Sequence, residues 1–314
     1  MMTVPSFVKN PALATVAAFL LLLALAHGLG FSHGATLVTR TLAYALAAVS
    51  LSFLIGQCGL VSFGHAAPFG IGAYAVLIAG EAGVREVLVV LPLAAAAAAL
   101  FSAVTGAIAL RTRGVYFIMI TLAFAQMAFY VAASLSAYGG DDGMAIAGRS
   151  TFFGIRFLKA DTSLALLAIA LVGLALFLFQ RLAASRFGLM LRAARANESK
   201  VEALGLAPYR HRLIALALAG AVAGLAGALI ANQVEYVSPA LMGWHVSGEL
   251  IVMVVLGGIG HPVGAVIGAV VVTLLDESLG HLTEHWRLGL GLVIILVALL
   301  RDADLKSLLR GGSR

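Results

Sequence analysis

The sequence predicts an all-α, polytopic membrane protein of about ten transmembrane helices, and three observations predict it. Of 314 residues, 62% are apolar and only 11% charged, against about 25% charged in an average soluble domain. The mean hydropathy is +1.05. The apolar residues fall in long runs separated by short polar breaks, the pattern of helices of about 20 residues that cross a bilayer core roughly 30 Å thick. The 35 glycines and the alanine runs suit helices whose backbones approach closely. A single cysteine, Cys58, excludes an intramolecular disulfide and any multi-cysteine metal site. The whole of residues 1–314 reads as one transmembrane domain.

Taken in order, Lys9 precedes an apolar run over 11–26. Ala24-Leu25-Ala26 resembles a signal cleavage site, but the run is long for a signal core, so a retained first helix is expected. A second span is expected over 41–55. A third, over 57–79, is interrupted by Gly and Pro. A fourth covers 87–110 and ends at Arg111-Thr112-Arg113, and a fifth covers 115–135. The polar stretch 136–161 follows, then a sixth span over 164–179, the charged segment 181–212, and a seventh span over 213–231. The eighth and ninth are expected over 246–259 and 263–275. Gly257-Gly258-Ile259-Gly260-His261-Pro262 between them would also suit a break inside one re-entrant unit. A tenth, over 288–300, leads into a basic tail. Gly64-His65 followed by Pro68-x-Gly70 is echoed by Gly260-His261-Pro262-x-Gly264. Paired Gly/Pro-broken segments of this kind mark two related halves and a midplane pathway in repeat-built transporters.

With ten spans and the amino terminus inside, the inner face carries 14 basic and 4 acidic residues, net +10, and the outer face 6 basic and 10 acidic, net −4. The two add to the formal charge of +6. That asymmetry obeys the positive-inside rule. It places both termini and residues 181–212 in the cytoplasm.

The segment Arg181–Arg212 is the long charged stretch of the chain, with seven Lys or Arg. Read as a helix, it gathers Phe187, Leu191, Ala194 and Val201 on one face and Arg192, Arg195, Ser199 and Glu202 on another. Glu198 falls on the apolar stripe, and Gly205 and Pro208 end the helix. An amphipathic cytoplasmic helix on a membrane protein is read as a docking element.

The spacing GxxxxGK[ST] does not occur in the sequence, nor does HExxH, so any ATP that drives this chain is hydrolysed by another. No catalytic residue, cofactor or metal is expected. The middles of the spans are nearly free of charge, with Gln57, His65 and Gln126 as the polar exceptions. That disfavours proton- or ion-coupled carriage, which places ionisable groups deep in helices. Asp276 and Glu277 are expected to face headgroups or loops. His65 either lines a pathway or bonds backbone that Pro68 frees; Gln126 either touches solute or joins helices.

Four stretches carry a family resemblance. They are Gly56-Gln57-x-Gly59-Leu60-x-Ser62-x-Gly64-His65-Ala66, then Phe69-Gly70-Ile71-Gly72-Ala73-Tyr74, then Arg111–Leu122, and finally Arg186–Gly205 followed by GGIGHPVGAVIGA. They resemble the inner-membrane permease subunits of branched-chain amino-acid ABC importers. The Gly139–Gly143 turn and Pro68 depart from the family pattern. The resemblance implies a heterodimer with a sister permease, cytoplasmic ATP-binding subunits, a periplasmic binding protein, and residence in a bacterial inner membrane. It also implies that Phe187, Leu191, Arg192, Arg195, Glu198, Glu202 and Gly205 form the ATPase-coupling site, with Arg192 and Arg195 meeting acids on the ATPase and Phe187 and Leu191 filling its groove. Gln57, Gly64, His65, Pro68, Gly70, Gly72 and Gln126 are the candidate solute pathway. Permeases for urea and short-chain amides share these motifs, so the cargo stays open. An ion-coupled secondary transporter is the other mechanism carried forward.

Overall fold

A computed structural model describes residues 14–21, 34–152, 154, 158, 160–280 and 291. Residues 14–21 are helical. Ten further α-helices follow: α1 Gly34–Phe53, α2 Ala66–Glu81, α3 Val87–Ala109, α4 Val115–Ser134, α5 Asp161–Ala184, α6 Arg186–Ala196, α7 Glu198–Ala203, α8 Pro208–Val234, α9 Trp244–Gly257 and α10 Pro262–Gly280. The fold is all-α. Its strands are a two-residue antiparallel pair in the turns, Met144–Ala145 against Tyr236–Val237.

Among the described residues, five helices are long and apolar enough to cross a membrane, or six if α9 and α10 make one bent span. Half of the expected first span and nearly all of the tenth fall outside the described residues. The other differences have local causes. The second span is longer than 41–55: α1 runs on from Gly34 through a π-helical turn, Leu54–Cys58, and takes in Gln57. That turn stops at Gly59, whose φ of 69° is left-handed and favours glycine. The third span is therefore shorter than 57–79. What remains is α2, 16 residues long, which does not reach across alone. The eighth and ninth spans are the two arms of one pair bent by 116° at Gly258–His261. The four residues between the arms include Gly258 and Gly260 at φ 101° and 88°.

α1 is the innermost helix, with 89% of its apolar window buried. α8 packs on α1, α2 and α3. Small residues make these contacts possible: a Cβ on Gly72 would overlap the Gly224 carbonyl oxygen, and one on Gly227 would overlap that of Phe69. α3 and α4 sit at the periphery, with 28% and 22% of their windows buried. On α4, Tyr116, Met119, Met127 and Tyr130 stand exposed at steps of three, eight and three.

Charged side chains gather at both ends of the bundle, and one group reaches into it. Arg40 on α1 pairs with Asp276 at 2.7 Å and Glu277 at 3.6 Å. Those acids thus tie α10 to α1, where headgroup or loop contacts were expected. A small cleft beside them, lined also by Tyr44, Glu249 and Thr273, puts one more acid, Glu249 of α9, within a span read as nearly charge-free.

Candidate coupling site

At one end of the bundle, residues 181–212 fold back on the membrane helices. The segment is two helices rather than one. α6 ends at Ala196 because Asn197 turns extended, φ −158° and ψ 99°, and its side-chain oxygen accepts the Lys200 N–H at 3.0 Å. That is an N-cap, which satisfies a donor the new helix would otherwise leave unpaired. The entry turn is equally tight. Ser185 caps α6, and a Cβ on Gly188 would collide with the carbonyls of Leu182 and Ala183. Gly205 closes α7 at φ 78°.

Glu198, the acid on the apolar stripe, is explained by its partners. It bridges Arg212 of α8 at 3.0 Å and Arg113 of the α3–α4 turn at 3.2 Å, with 18% of its side chain exposed. Arg212 also donates to the Ala194 carbonyl at 3.1 Å. The segment is thereby pinned to α8 and to the α3–α4 turn of its own chain.

Arg192 and Arg195 are exposed, and each also bonds back to its own chain. Arg195 donates to the Gly56 carbonyl at 2.5 Å, and its stem packs over Gly59. Arg192 donates to the Gln57 amide oxygen at 2.8 Å and to the Ala183 carbonyl at 2.6 Å. For Arg195 the reason is the π-helical turn, which frees the Gly56 carbonyl for a guanidinium N–H to meet; Arg192 meets the turn through the Gln57 side chain instead. Leu191 is fully buried in this chain, and Phe187 is half-buried with its ring against His211. Leu191 is thus covered by its own chain, while Phe187 keeps part of its surface open. The exposed large apolar residues of the segment are Leu189, Leu204 and Leu206, at 62%, 77% and 49% exposure; Glu202 is also exposed. The sequence signal for them was an apolar pair flanking Gly205 amid charge.

The pathway candidates are mostly packed shut. His65 is 3% exposed, and its Nε2 lies 2.7 Å from Ser50 Oγ. The Ser50 hydroxyl hydrogen goes to Ala47 O, so the ring donates from Nε2. His65 thus bonds α1 rather than backbone freed by Pro68, which sits buried in the first turn of α2. The spaces over Gly64, Gly70 and Gly72 are filled by Thr121, Met242 and Gly224. Gln57 serves Arg192. Gln126 lies five residues beyond Thr121 on α4, with its amide nitrogen buried and unbonded. What the structure does bring together is the two Gly-rich breaks: a Cβ on Gly56 would lie 2.7 Å from the Gly260 Cα.

A family model described as the branched-chain amino acid transport system / permease component matches residues 34–299. The high-affinity branched-chain amino acid transport system permease protein LivM of Escherichia coli K12 is 29% identical, over 93% of this chain and 74% of that protein. The probable branched-chain amino acid transport permease protein LivH of Methanocaldococcus jannaschii is 34% identical, over 41% of this chain and 37% of that protein. The autoinducer 2 import system permease protein LsrC of Salmonella typhimurium is 29% identical, over 51% and 49%. No solved structure matches the chain.

Proposed function

The chain belongs to the branched-chain amino-acid transport permease family, and on that premise we propose that it is a membrane-spanning subunit of a binding-protein-dependent ABC importer. It moves branched-chain or similar amino acids into the cytoplasm of a bacterium across the inner membrane. ATP is hydrolysed by separate cytoplasmic subunits. The observation that carries this reading is the folded segment 186–206, with three exposed leucines on an element otherwise locked to the membrane helices.

In this mechanism the ATPase takes Leu189, Leu204 and Leu206 into its groove. Closure on ATP pushes the segment, and two connections pass the push on. Glu198 and Arg212 carry it into α8, while Arg195 and Arg192 carry it to the π-helical turn at Gly56–Gln57. The Gly56–Gly260 contact then extends it to the bent pair α9–α10. Packed elements with two arrangements convert such a push into alternating access. A sister permease lies against the exposed α4 face, and solute passes between the two subunits. A periplasmic binding protein delivers it to the opposite end.

Uptake by proteoliposomes holding this chain, its sister permease, ATPase and binding protein tests the proposal. ATP-dependent accumulation of leucine, isoleucine or valine is expected. Accumulation of urea, an amide or autoinducer 2 in their place would keep the machine and refute the cargo. Gradient-driven uptake by this chain alone would refute the machine.

A further inference from the structure

At the end opposite the coupling segment, the 82–86 turn, the 144–151 loop and the carboxyl end of α8 enclose a cavity of about 140 Å3. Arg85, Arg149, Ser150, Thr151 and Glu235 line it. A water occupies roughly 30 Å3 of liquid, so the space holds about four or five non-hydrogen atoms, the count in the amino-acid head of nitrogen, Cα and carboxylate.

Its charges are unevenly satisfied. Arg149 is neutralised, at 2.6 Å from Asp161 and 3.0 Å from Glu235. Among the described residues Arg85 has no ion pair, and its own backbone is fixed by the Thr151 N–H at 2.7 Å. Glu235 meets Arg149 through Oε1 alone, which leaves Oε2 available. The pocket therefore presents one uncompensated guanidinium and one spare carboxylate oxygen.

Glu235 is also held in an unfavourable backbone state. It is the one non-glycine residue with positive φ among those described, at 56°. The left-handed conformation disfavours side chains and persists where the surroundings impose it. Here its carbonyl accepts the Ile146 N–H at 2.8 Å, and the strand pair 144–145/236–237 continues from it. On the other wall, the buried Asn232 of α8 accepts the Ser150 N–H at 2.7 Å. Asn232 lies in the last turn of α8, the helix that begins four residues before Arg212 at the coupling end.

We propose that the cavity formed by Arg85, Arg149 and Glu235 is an entry site for the zwitterionic head of an α-amino acid. The solute carboxylate meets Arg85, its ammonium meets Glu235 Oε2, and its side chain points to the open mouth. This rests on the importer reading above and assigns that importer's outer site. Because one wall is α8, occupancy of the site is felt at the helix that carries Arg212.

The test is equilibrium binding to the purified full chain in nanodiscs, read by saturation-transfer NMR. The probes are leucine, 4-methylpentanoate (leucine without its ammonium) and 3-methylbutylamine (leucine without its carboxylate). Leucine should bind the wild-type chain at least about tenfold more tightly than either fragment. Arg85→Gln should abolish the preference over the amine, and Glu235→Gln the preference over the acid. Glu235→Gly, which relieves the backbone strain, should fold well and still bind like Glu235→Gln. Equal binding of all three probes, or unaltered leucine preference in both Gln variants, would overturn the site. Reconstituted uptake separates the two failures. If the wild-type assembly accumulates leucine with ATP and both Gln variants match it at every leucine concentration, the importer stands and the entry site falls. If the wild-type assembly accumulates no amino acid, the importer reading itself has failed.

Discussion

Removing the Glu198 carboxylate is the most informative single change. Glu198 and Arg212 lie 3.0 Å apart with 18% and 13% of their side chains exposed, so Glu198→Ala leaves a largely buried guanidinium with the Ala194 carbonyl as its remaining acceptor in this region. Stranding one partner of a buried pair costs about 3–5 kcal/mol. Partial exposure of both groups reduces that to roughly 2–3 kcal/mol by solvent screening. Arg113 is 73% exposed, so Arg113→Ala should cost less than about 1 kcal/mol. At roughly 2–4 °C per kcal/mol for domains approaching this size, Glu198→Ala should lower the unfolding midpoint of the isolated chain in detergent by about 4–12 °C. Glu198→Ala/Arg212→Ala should lose much less than the sum of the single changes, because the pair then disappears together. Unfolding at the wild-type temperature, or strict additivity, would refute the internal bridge. It would favour an arrangement in which Glu198 meets a cation on the ATPase and leaves the stability of the isolated chain unaffected.

The other predictions concern packing, docking and transmission. Leu191→Ala should destabilise the isolated chain by about 2–5 kcal/mol, because Leu191 is fully buried; Leu204→Asp should leave unfolding within about 0.5 kcal/mol of wild type and abolish co-purification of the ATPase. Gly72→Ala should sharply lower the yield of monodisperse protein, since its Cβ overlaps backbone. Gly80→Ala, whose Cβ has only Ile146 at 3.9 Å, should be tolerated, and size-exclusion profiles compare the two. Arg195→Met removes the donor to Gly56 O at a cost of about 1–3 kcal/mol. Hydrogen exchange should accelerate at 54–58, and ATP hydrolysis should continue with reduced uptake.

The all-α membrane class and the middle spans were legible because hydropathy is a composition property and needs no tertiary contact. Helix α3, α4 and α5 fall where the apolar runs placed them. The π-helical turn was not legible: Leu-Ile-Gly-Gln-Cys is compatible with ordinary helix, and the side chains that meet it, Arg192 and Arg195, arrive more than a hundred residues later. In the charged segment the periodicity divides the faces correctly: Leu191, Ala194 and Val201 are buried, while Arg192, Arg195, Ser199 and Glu202 are exposed. It does not say what covers the apolar stripe, and Asn197 split the period in two. Glu198 was a true signal: an acid on an apolar stripe marked the place where the stripe meets Arg212. Gly64, Gly70 and Gly72 stood out in the sequence, and in this chain they admit Thr121, Met242 and Gly224. Arg85 and Glu235 carried no local pattern, because their relation exists only once the loops at that end close.

The central claim is that residues 186–206 dock onto a separate ATP-hydrolysing chain through their exposed leucines. A photo-crosslinking residue placed in turn at Leu204 and at the buried Leu191, in native membranes, tests it most directly. The expected result is an adduct with an ATPase subunit from position 204, sensitive to nucleotide, and none from position 191. Adducts with lipid alone from 204, or an equal ATPase adduct from 191, would contradict it.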